Sequence, residues 1–156
     1  MFVKALLIFL WSGVISNQLV LTENDARRLQ IVADAEKYLG LKYKSKVDKN
    51  IFDCSGYARY VLAHNGVRVT RSSVSQIHDG KKVTNIKDAK PGDLVIFKGR
   101  NARNLRPGHV GIVHHVSNDT LYFIHSSVQK GITIDHLHDP YYKKRFLQIR
   151  NVVPSG

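Results

Sequence analysis

The sequence predicts an α+β fold, in which helices come first along the chain and strands follow. Two segments with helical spacing and capping signals lie between residues 22 and 64. Apolar runs bounded by turn residues begin near residue 91 and continue to residue 152. With 156 residues, of which 43% are hydrophobic, the chain is long enough for one core and too short for two. We therefore expect a single domain over residues 17–156.

The first 16 residues have the composition of a signal peptide. Lys4 supplies a positive charge, an apolar run follows from Ala5 to Ile15, and small residues lead up to Ser16. An apolar run of this length is too short to span a bilayer, so a retained membrane anchor is the less favoured alternative. We expect residues 1–16 to be removed and the protein to be exported to the periplasm or the exterior.

The first predicted helix begins at a capping box and ends at a glycine. Thr22 and Asp25 have the spacing of the box, and Gly40 supplies a left-handed stop. Apolar side chains such as Leu29 and Val32 recur near one side of this segment. We expect an amphipathic helix that packs beside the second one.

The second predicted helix, from about Cys54 to His64, carries the only cysteine of the chain in its first turn. Asp53 is a good N-cap, and Gly66 follows the helix as a left-handed stop. Unpaired N–H groups and the helix dipole favour a thiolate there and lower the pKa of the thiol. The alternative is a buried, inert cysteine.

Shorter elements follow the second helix. A short helix is predicted over residues 72–78, and the turn at residues 91–93 opens a strand from Leu94 to Lys98. Two later strands are expected at residues 132–135 and 146–152. Together with the hairpin described next, they complete the predicted sheet.

A predicted hairpin carries one histidine in each strand, His109 and His125. A loop of two residues would pair Ser117 with Thr120 and would send the two histidines to opposite faces. A loop of three residues pairs Val116 with Thr120 and places the histidines diagonally on one face, within side-chain reach. We expect the three-residue loop.

Five sequence motifs follow one another in an order that is typical of one protein family. They are Asp53-Cys54-Ser55-Gly56-Tyr57, Arg71-Ser72-Ser73 with Gln76, the Pro-Gly-Asp segment 91–97, Gly108-His109-Val110-Gly111-Ile112, and Phe123-Ile124-His125. From about Glu23 to Val153 the chain thereby resembles the NlpC/p-sixty family of papain-like cell-wall cysteine peptidases. The resemblance implies a papain-like core, with N-terminal helices packed on an antiparallel sheet. It also implies cleavage of the γ-D-glutamyl to diamino-acid bond of peptidoglycan stem peptides.

The resemblance implies a catalytic triad. Cys54 matches the nucleophile, His109 the base, and His125 the third polar residue, which orients the base. A cysteine and a histidine within hydrogen-bonding reach suffice for acyl transfer to a thiol followed by hydrolysis. We therefore expect neither a metal nor an organic cofactor.

The resemblance also implies substrate-binding residues around the nucleophile. Tyr43 matches a tyrosine that many members place beside the oxyanion site. Asp53 and Ser55 match positions that, in some members, help to hold the free amino end of the stem peptide.

The chain is strongly basic, with 24 Lys and Arg against 12 Asp and Glu and a net charge of +12. No nucleic-acid-binding motif accompanies the charge, so we expect no nucleic-acid partner and favour anionic cell-wall polymers. The loop before His109 carries Arg100, Arg103 and Arg106, which we expect to hold a substrate carboxylate or a wall polymer. The alternative is a solvated loop without a binding role. We expect a monomer.

Other functions remain open at this level. An amidase, a transpeptidase or a lipid acyltransferase could use the same cysteine and histidine, and a non-catalytic wall-binding protein would use neither. Four further histidines, at positions 114, 115, 136 and 138, have poor spacing for a zinc site, so we expect none.

Overall fold

The computed structural model describes residues 21–43, 46–47 and 50–154. The predicted signal peptide lies outside these residues, so its removal stays a prediction. None of the described helices combines the length and the apolar character that are needed to cross a bilayer.

The described chain forms four α-helices, a short 3₁₀ turn and eight strands. In order they are α1 (Glu23–Glu36), β1 (Lys46–Val47), β2 (Asn50–Ile51), α2 (Cys54–His64), α3 (Ser73–Gln76), β3 (Lys81–Val83), the 3₁₀ turn (Ile86–Asp88), β4 (Leu94–Lys98), β5 (Pro107–Ser117), β6 (Thr120–Ser127), β7 (Gly131–His136), α4 (Pro140–Arg145) and β8 (Phe146–Asn151). The α+β prediction is confirmed.

Helix α1 begins as predicted but turns a different side to the core. The hydroxyl of Thr22 accepts from the backbone N–H of Asp25, and the Asp25 carboxylate accepts in return from the N–H of Thr22. Ile31 is fully buried, whereas Leu29 is 52% exposed, so the predicted apolar side was wrong for Leu29. The physical reason is the neighbouring Arg28, which is buried because it pairs with a buried aspartate and thereby fixes the rotation of the helix.

Helix α2 has the predicted bounds, from Cys54 to His64. The carboxylate of Asp53 caps it by accepting from the N–H of Gly56 at 2.7 Å. Buried side chains on one side of α2 pack against the sheet, with Tyr57 and Leu62 fully buried. This packing directs the first turn of α2, and with it Cys54, towards strand β5.

Six strands form one antiparallel sheet in the order β3-β8-β4-β5-β6-β7. Its two faces pack into separate apolar clusters. The first cluster joins the sheet to α1 and α2 and includes Leu94 and Ile96. The second includes the alternate residues Val95 and Phe97, together with Tyr142 from α4. Strand β4 is therefore buried on both faces, which explains its uninterrupted apolar sequence.

The hairpin between β5 and β6 corrects the predicted loop. Ser117 pairs with Thr120, so the loop has two residues, and both have positive φ angles of 48° and 59°, as this kind of tight turn requires. A β-bulge at His114 then shifts the register, because Val113 pairs with Phe123 while His115 pairs with Tyr122. The extra residue in β5 restores the alternation that the shorter loop would have reversed.

The consequence of the bulge is that the two histidines share a face of the sheet. Beyond the bulge Ile112 pairs with Ile124, and continuing this register places His109 diagonally across from His125. The predicted proximity of the histidines is therefore correct, although the predicted loop was wrong.

Candidate active site

Cys54 and His109 line one cavity of about 650 Å³. Cys54 reaches it from the N-terminus of α2, and His109 reaches it from the start of β5. Tyr43 also lines the cavity, so the structure brings together three of the residues that the sequence predicted. Gly108, immediately before His109, packs so closely on Gly99 that a Cβ on Gly108 would lie 2.4 Å from the Gly99 Cα. This close contact fixes the strand end that carries His109.

The two histidines form a hydrogen-bonded pair. Nε2 of His109 lies 2.9 Å from Nδ1 of His125, and their rings are almost perpendicular, at 88°. Phe97 and Tyr142 flank the ring of His109 and restrict its orientation. Because Nε2 of His109 is bound to His125, its Nδ1 is the ring nitrogen that is left for the cysteine.

Burial sets the protonation states of the cysteine and the base. It raises the pKa of the Cys54 thiol, although backbone N–H groups of Val110 and Ser55 act in the opposite direction. Burial, together with the neighbouring His125, lowers the pKa of His109 to about 3. The helix terminus favours a thiolate, as the sequence suggested, but desolvation acts against it and favours a neutral thiol beside a neutral imidazole.

A residue that sequence reasoning missed lies behind the pair. Nε2 of His125 is 2.9 Å from Oδ2 of Asp135, and Tyr142 donates to the same oxygen at 3.2 Å. Lys130 donates to the other carboxylate oxygen at 2.8 Å. The hydrogen bond from His125, reinforced by Lys130, holds the pKa of Asp135 well below its usual range despite partial burial. One sequence signal could have identified this residue, because strand alternation places Asp135 on the same face of the sheet as His125.

Asp53 and Ser55 lie beside Cys54 and are held by one arginine. Arg71 donates to both carboxylate oxygens of Asp53, at 3.1 and 2.8 Å, and to the hydroxyl of Ser55 at 3.0 Å. Burial of Asp53 opposes its ionisation, but the hydrogen bonds from Arg71 and Gly56 outweigh it and lower the pKa of the carboxyl group. A substrate amine that binds Asp53 must therefore share this carboxylate with Arg71.

The three arginines of the loop before β5 occupy different positions. Arg100 lines the cavity, and its backbone carbonyl accepts from Arg145 at 3.4 Å. Arg103 and Arg106 are exposed and are not part of the cavity wall. Lys98, Lys130 and Arg145 line the cavity as well, so among the described residues its wall carries four basic side chains against one carboxylate, that of Asp139.

The histidines outside the pair do not gather around a point. Within residues 21–43, 46–47 and 50–154, no group of three or more His, Cys, Asp or Glu side chains is arranged to hold a metal ion. His114 instead contacts Glu36 and His115, at 2.7 Å each, and His138 contacts Thr120.

Comparison with known proteins identifies relatives of this chain. The profile of the NlpC/P60 family matches residues 40–151. A gamma-DL-glutamyl hydrolase of Bacillus subtilis is 31% identical over 144 residues, which are 90% of this chain and 33% of that protein. A murein DD-endopeptidase MepS/murein LD-carboxypeptidase of Escherichia coli is 29% identical over 135 residues, 85% of this chain and 67% of that protein. The chain thus spans between a third and two thirds of the length of these relatives.

Solved structures have the same fold. A lipoprotein-like protein of the NLP/P60 family from Staphylococcus aureus superposes with a TM-score of 0.69 at 25% identity. The superposition covers 84% of this chain and 43% of that one. The papain-like arrangement expected from the resemblance is therefore present.

Proposed function

The chain belongs to the NlpC/P60 family, and we propose that it is an exported cysteine peptidase that hydrolyses peptidoglycan stem peptides. The observation that carries this proposal is the hydrogen bond of 2.9 Å between His109 and His125, beside a cavity that also contains Cys54. A half-buried base that is oriented by a second group, next to a thiol at a helix N-terminus, suits acyl transfer.

The proposed mechanism starts from neutral partners. Nδ1 of His109 takes the proton of the Cys54 thiol as Sγ attacks the substrate carbonyl, because neither group is charged beforehand. The backbone N–H of Cys54 and the hydroxyl of Tyr43 stabilise the oxyanion. His109 then protonates the leaving amine, and water hydrolyses the thioester. The hydrogen bond between Nε2 of His109 and Nδ1 of His125 orients the ring of the base.

We propose the γ-D-glutamyl to diamino-acid bond as the site of cleavage. The name of the Bacillus relative specifies a γ-DL-glutamyl bond, which supports this choice. A second candidate is the bond between two D-residues, since the name of the Escherichia relative specifies a DD-endopeptidase. Digestion of purified peptidoglycan distinguishes the two, because mass spectrometry of the released fragments identifies the new termini.

Substitution of the triad tests the enzyme assignment. Cys54→Ala is expected to abolish hydrolysis, and His109→Ala nearly so, while the far-UV circular dichroism stays unchanged. His125→Ala is expected to lose on the order of 10²- to 10⁴-fold in kcat. His78→Ala, which replaces an exposed histidine, is the matched control. Digestion by Cys54→Ala at the wild-type rate would leave a wall-binding protein or another activity as the explanation.

We propose further that the basic wall of the cavity binds a carboxylate of the stem peptide or an anionic wall polymer, with Arg100 in closest contact. Arg100→Gln is expected to raise KM several-fold, to weaken the salt dependence of KM and to leave kcat nearly unchanged. Arg103→Gln and Arg106→Gln are expected to have smaller effects, since both side chains lie outside the cavity wall. Arg59→Gln, on the exposed side of α2, is the control. Equal KM values for all four variants and the wild type would make the loop a solvated surface.

Export depends on the proposed leader, residues 1–16. Expression of the full-length chain in a bacterial host, followed by N-terminal sequencing of the exported protein, is expected to give a chain that begins at Asn17. A cell-associated protein that retains Met1 would contradict the proposed leader.

A further inference from the structure

Asp135 is the only carboxylate in a line of hydrogen bonds that runs from Lys130 to the proposed base, His109. It lies on β7, where Phe123 is its partner in β6, so it is diagonal to His125. Its side chain is 13% exposed and that of His125 is 1% exposed, which shields their contact from water. Three donors converge on this carboxylate from different elements, namely His125, Tyr142 and Lys130.

The chemistry of these groups fixes the positions of the protons. An ionised carboxylate only accepts hydrogen bonds, so Nε2 of His125 must carry a proton. In a neutral ring Nδ1 of His125 is then an acceptor, and Nε2 of His109 must donate to it. The remaining nitrogen of His109, Nδ1, is therefore left with its lone pair. That is the nitrogen that a base for Cys54 requires.

Without the carboxylate, the same two rings have a second arrangement. Nδ1 of His125 can donate to Nε2 of His109, and His109 then carries its proton on Nδ1. In that state His109 has no lone pair to offer to Cys54, although the distance between the rings is the same. The geometry of the histidine pair therefore does not decide whether the base is competent.

We propose that Asp135 is a positioning residue, which acts through His125 to hold His109 in the tautomer that accepts the proton of Cys54. This inference rests on the proposed function. Lys130 and Tyr142 keep Asp135 in place and ionised, so they assist the same arrangement. When His109 takes up a proton, the carboxylate also stabilises the new positive charge through the intervening ring.

The proposal is tested by measuring the tautomers of His109 and His125 as well as the rate of hydrolysis. The ¹⁵N resonances of the ring nitrogens of His109 and His125 in the wild type near neutral pH are expected to show both protons on Nε2. A proton on Nδ1 of either ring in the wild type would overturn the proposal without any variant. This readout needs no substrate, so it is independent of whether peptidoglycan is the target.

The variant Asp135→Asn provides a second test. The amide of asparagine can donate a hydrogen bond to Nε2 of His125, which permits the arrangement in which both rings carry their protons on Nδ1. This variant is expected to move protons to Nδ1 and to lower kcat on the order of 10²- to 10⁴-fold with little change in KM. Asp135→Glu, which keeps a carboxylate, is expected to keep the Nε2 tautomers and more of the activity. Asp119→Asn, in an exposed turn, is the matched control. Unchanged tautomers in Asp135→Asn, or equal kcat values for the folded Asn and Glu variants, would overturn the proposal.

The groups that face the pair also bear on its pH dependence. They are Cys54 from α2, Lys130 from the turn after β6, Asp135 from β7 and Tyr142 from α4. In the wild type the tautomers are expected to persist well below pH 6.5, because burial lowers the pKa of both histidines. Protonation of Nδ1 in either ring with a midpoint near 6.5 would contradict a pair that is held neutral.

Discussion

Acid is expected to destabilise this protein through the hydrogen-bonded histidines, His109 and His125, which are withdrawn from water to different degrees. Burial lowers the pKa of His109 to about 3 and lowers that of His125 as well, although Asp135 partly opposes the effect on His125. In the unfolded chain both rings titrate near 6.5. A group whose folded pKa is depressed contributes stability above its unfolded pKa and loses it as the pH falls. The sensitive window therefore begins near pH 6.5 and extends downward.

The size of the effect follows from the pKa of His109. Each proton that the unfolded chain binds and the folded chain does not costs about 1.4 kcal/mol per pH unit. With a folded pKa of about 3, His109 stays neutral at pH 4.5, so its contribution falls by about 2–3 kcal/mol between pH 7.5 and pH 4.5. His125 adds a further loss in the same direction. Such a loss is a large fraction of the stability of a small domain.

Urea unfolding at several pH values measures this dependence. Cys54→Ala keeps both histidines, so its free energy of unfolding is expected to fall steeply towards pH 4.5. His109→Gln removes one of the two histidines and leaves His125 without a neighbouring ring that can become charged. Over the same pH range its free energy of unfolding is therefore expected to fall by at least about 2 kcal/mol less than that of Cys54→Ala. Both variants are expected to lack activity, and comparing them cancels the contributions of the other titrating groups. The same pH dependence in the two variants, with equal m-values, would refute the reasoning.

Two further substitutions test the supports of the site. Arg28→Met is expected to lower the free energy of unfolding by about 3–5 kcal/mol in denaturant, because it leaves the buried carboxylate of Asp93 without its ion-pair partner. Arg27→Met, on the surface of the same helix, is expected to change it little. Similar unfolding midpoints for the two variants would contradict a structural role for the buried pair. Gly108→Ala is expected to lower kcat/KM by about 10-fold or more through displacement of His109, whereas Gly99→Ala meets its neighbour only at 3.7 Å and is tolerated. Equal activity of the two alanine variants would show that the close glycine contact does not position the base.

The sequence by itself determined the local structure around Cys54, the proposed nucleophile. Helix α2 starts at Cys54 because Asp53 caps it, and both the cap and the end at His64 follow from side chains within a few residues. Capping and periodicity are local interactions, so they can be predicted without tertiary contacts. The resemblance then identified the two histidines, and the prediction that they share a face depended on the length of the loop between their strands.

The hairpin was harder to predict, because the prediction made two errors, in the loop length and in the missing bulge, whose effects on the strand register cancel. The loop has two residues rather than three, and the bulge at His114 restores the register that the shorter loop would have lost. No strong sequence signal marks this bulge, since His114 and His115 fit a regular strand equally well. The position of the bulge is decided by pairing with β6, which is a contact between separate segments.

Only the tertiary structure decided the electrostatics of the site. The first turn of α2 favours a thiolate, but packing against the sheet partly buries Cys54 and thereby raises its pKa. Asp135 lies behind His125 because β7 pairs with β6, and Lys130 and Tyr142 reach its carboxylate from other segments. Desolvation and hydrogen bonding between distant residues depend on how the whole chain packs, so these properties could not be predicted from residue types and spacing alone.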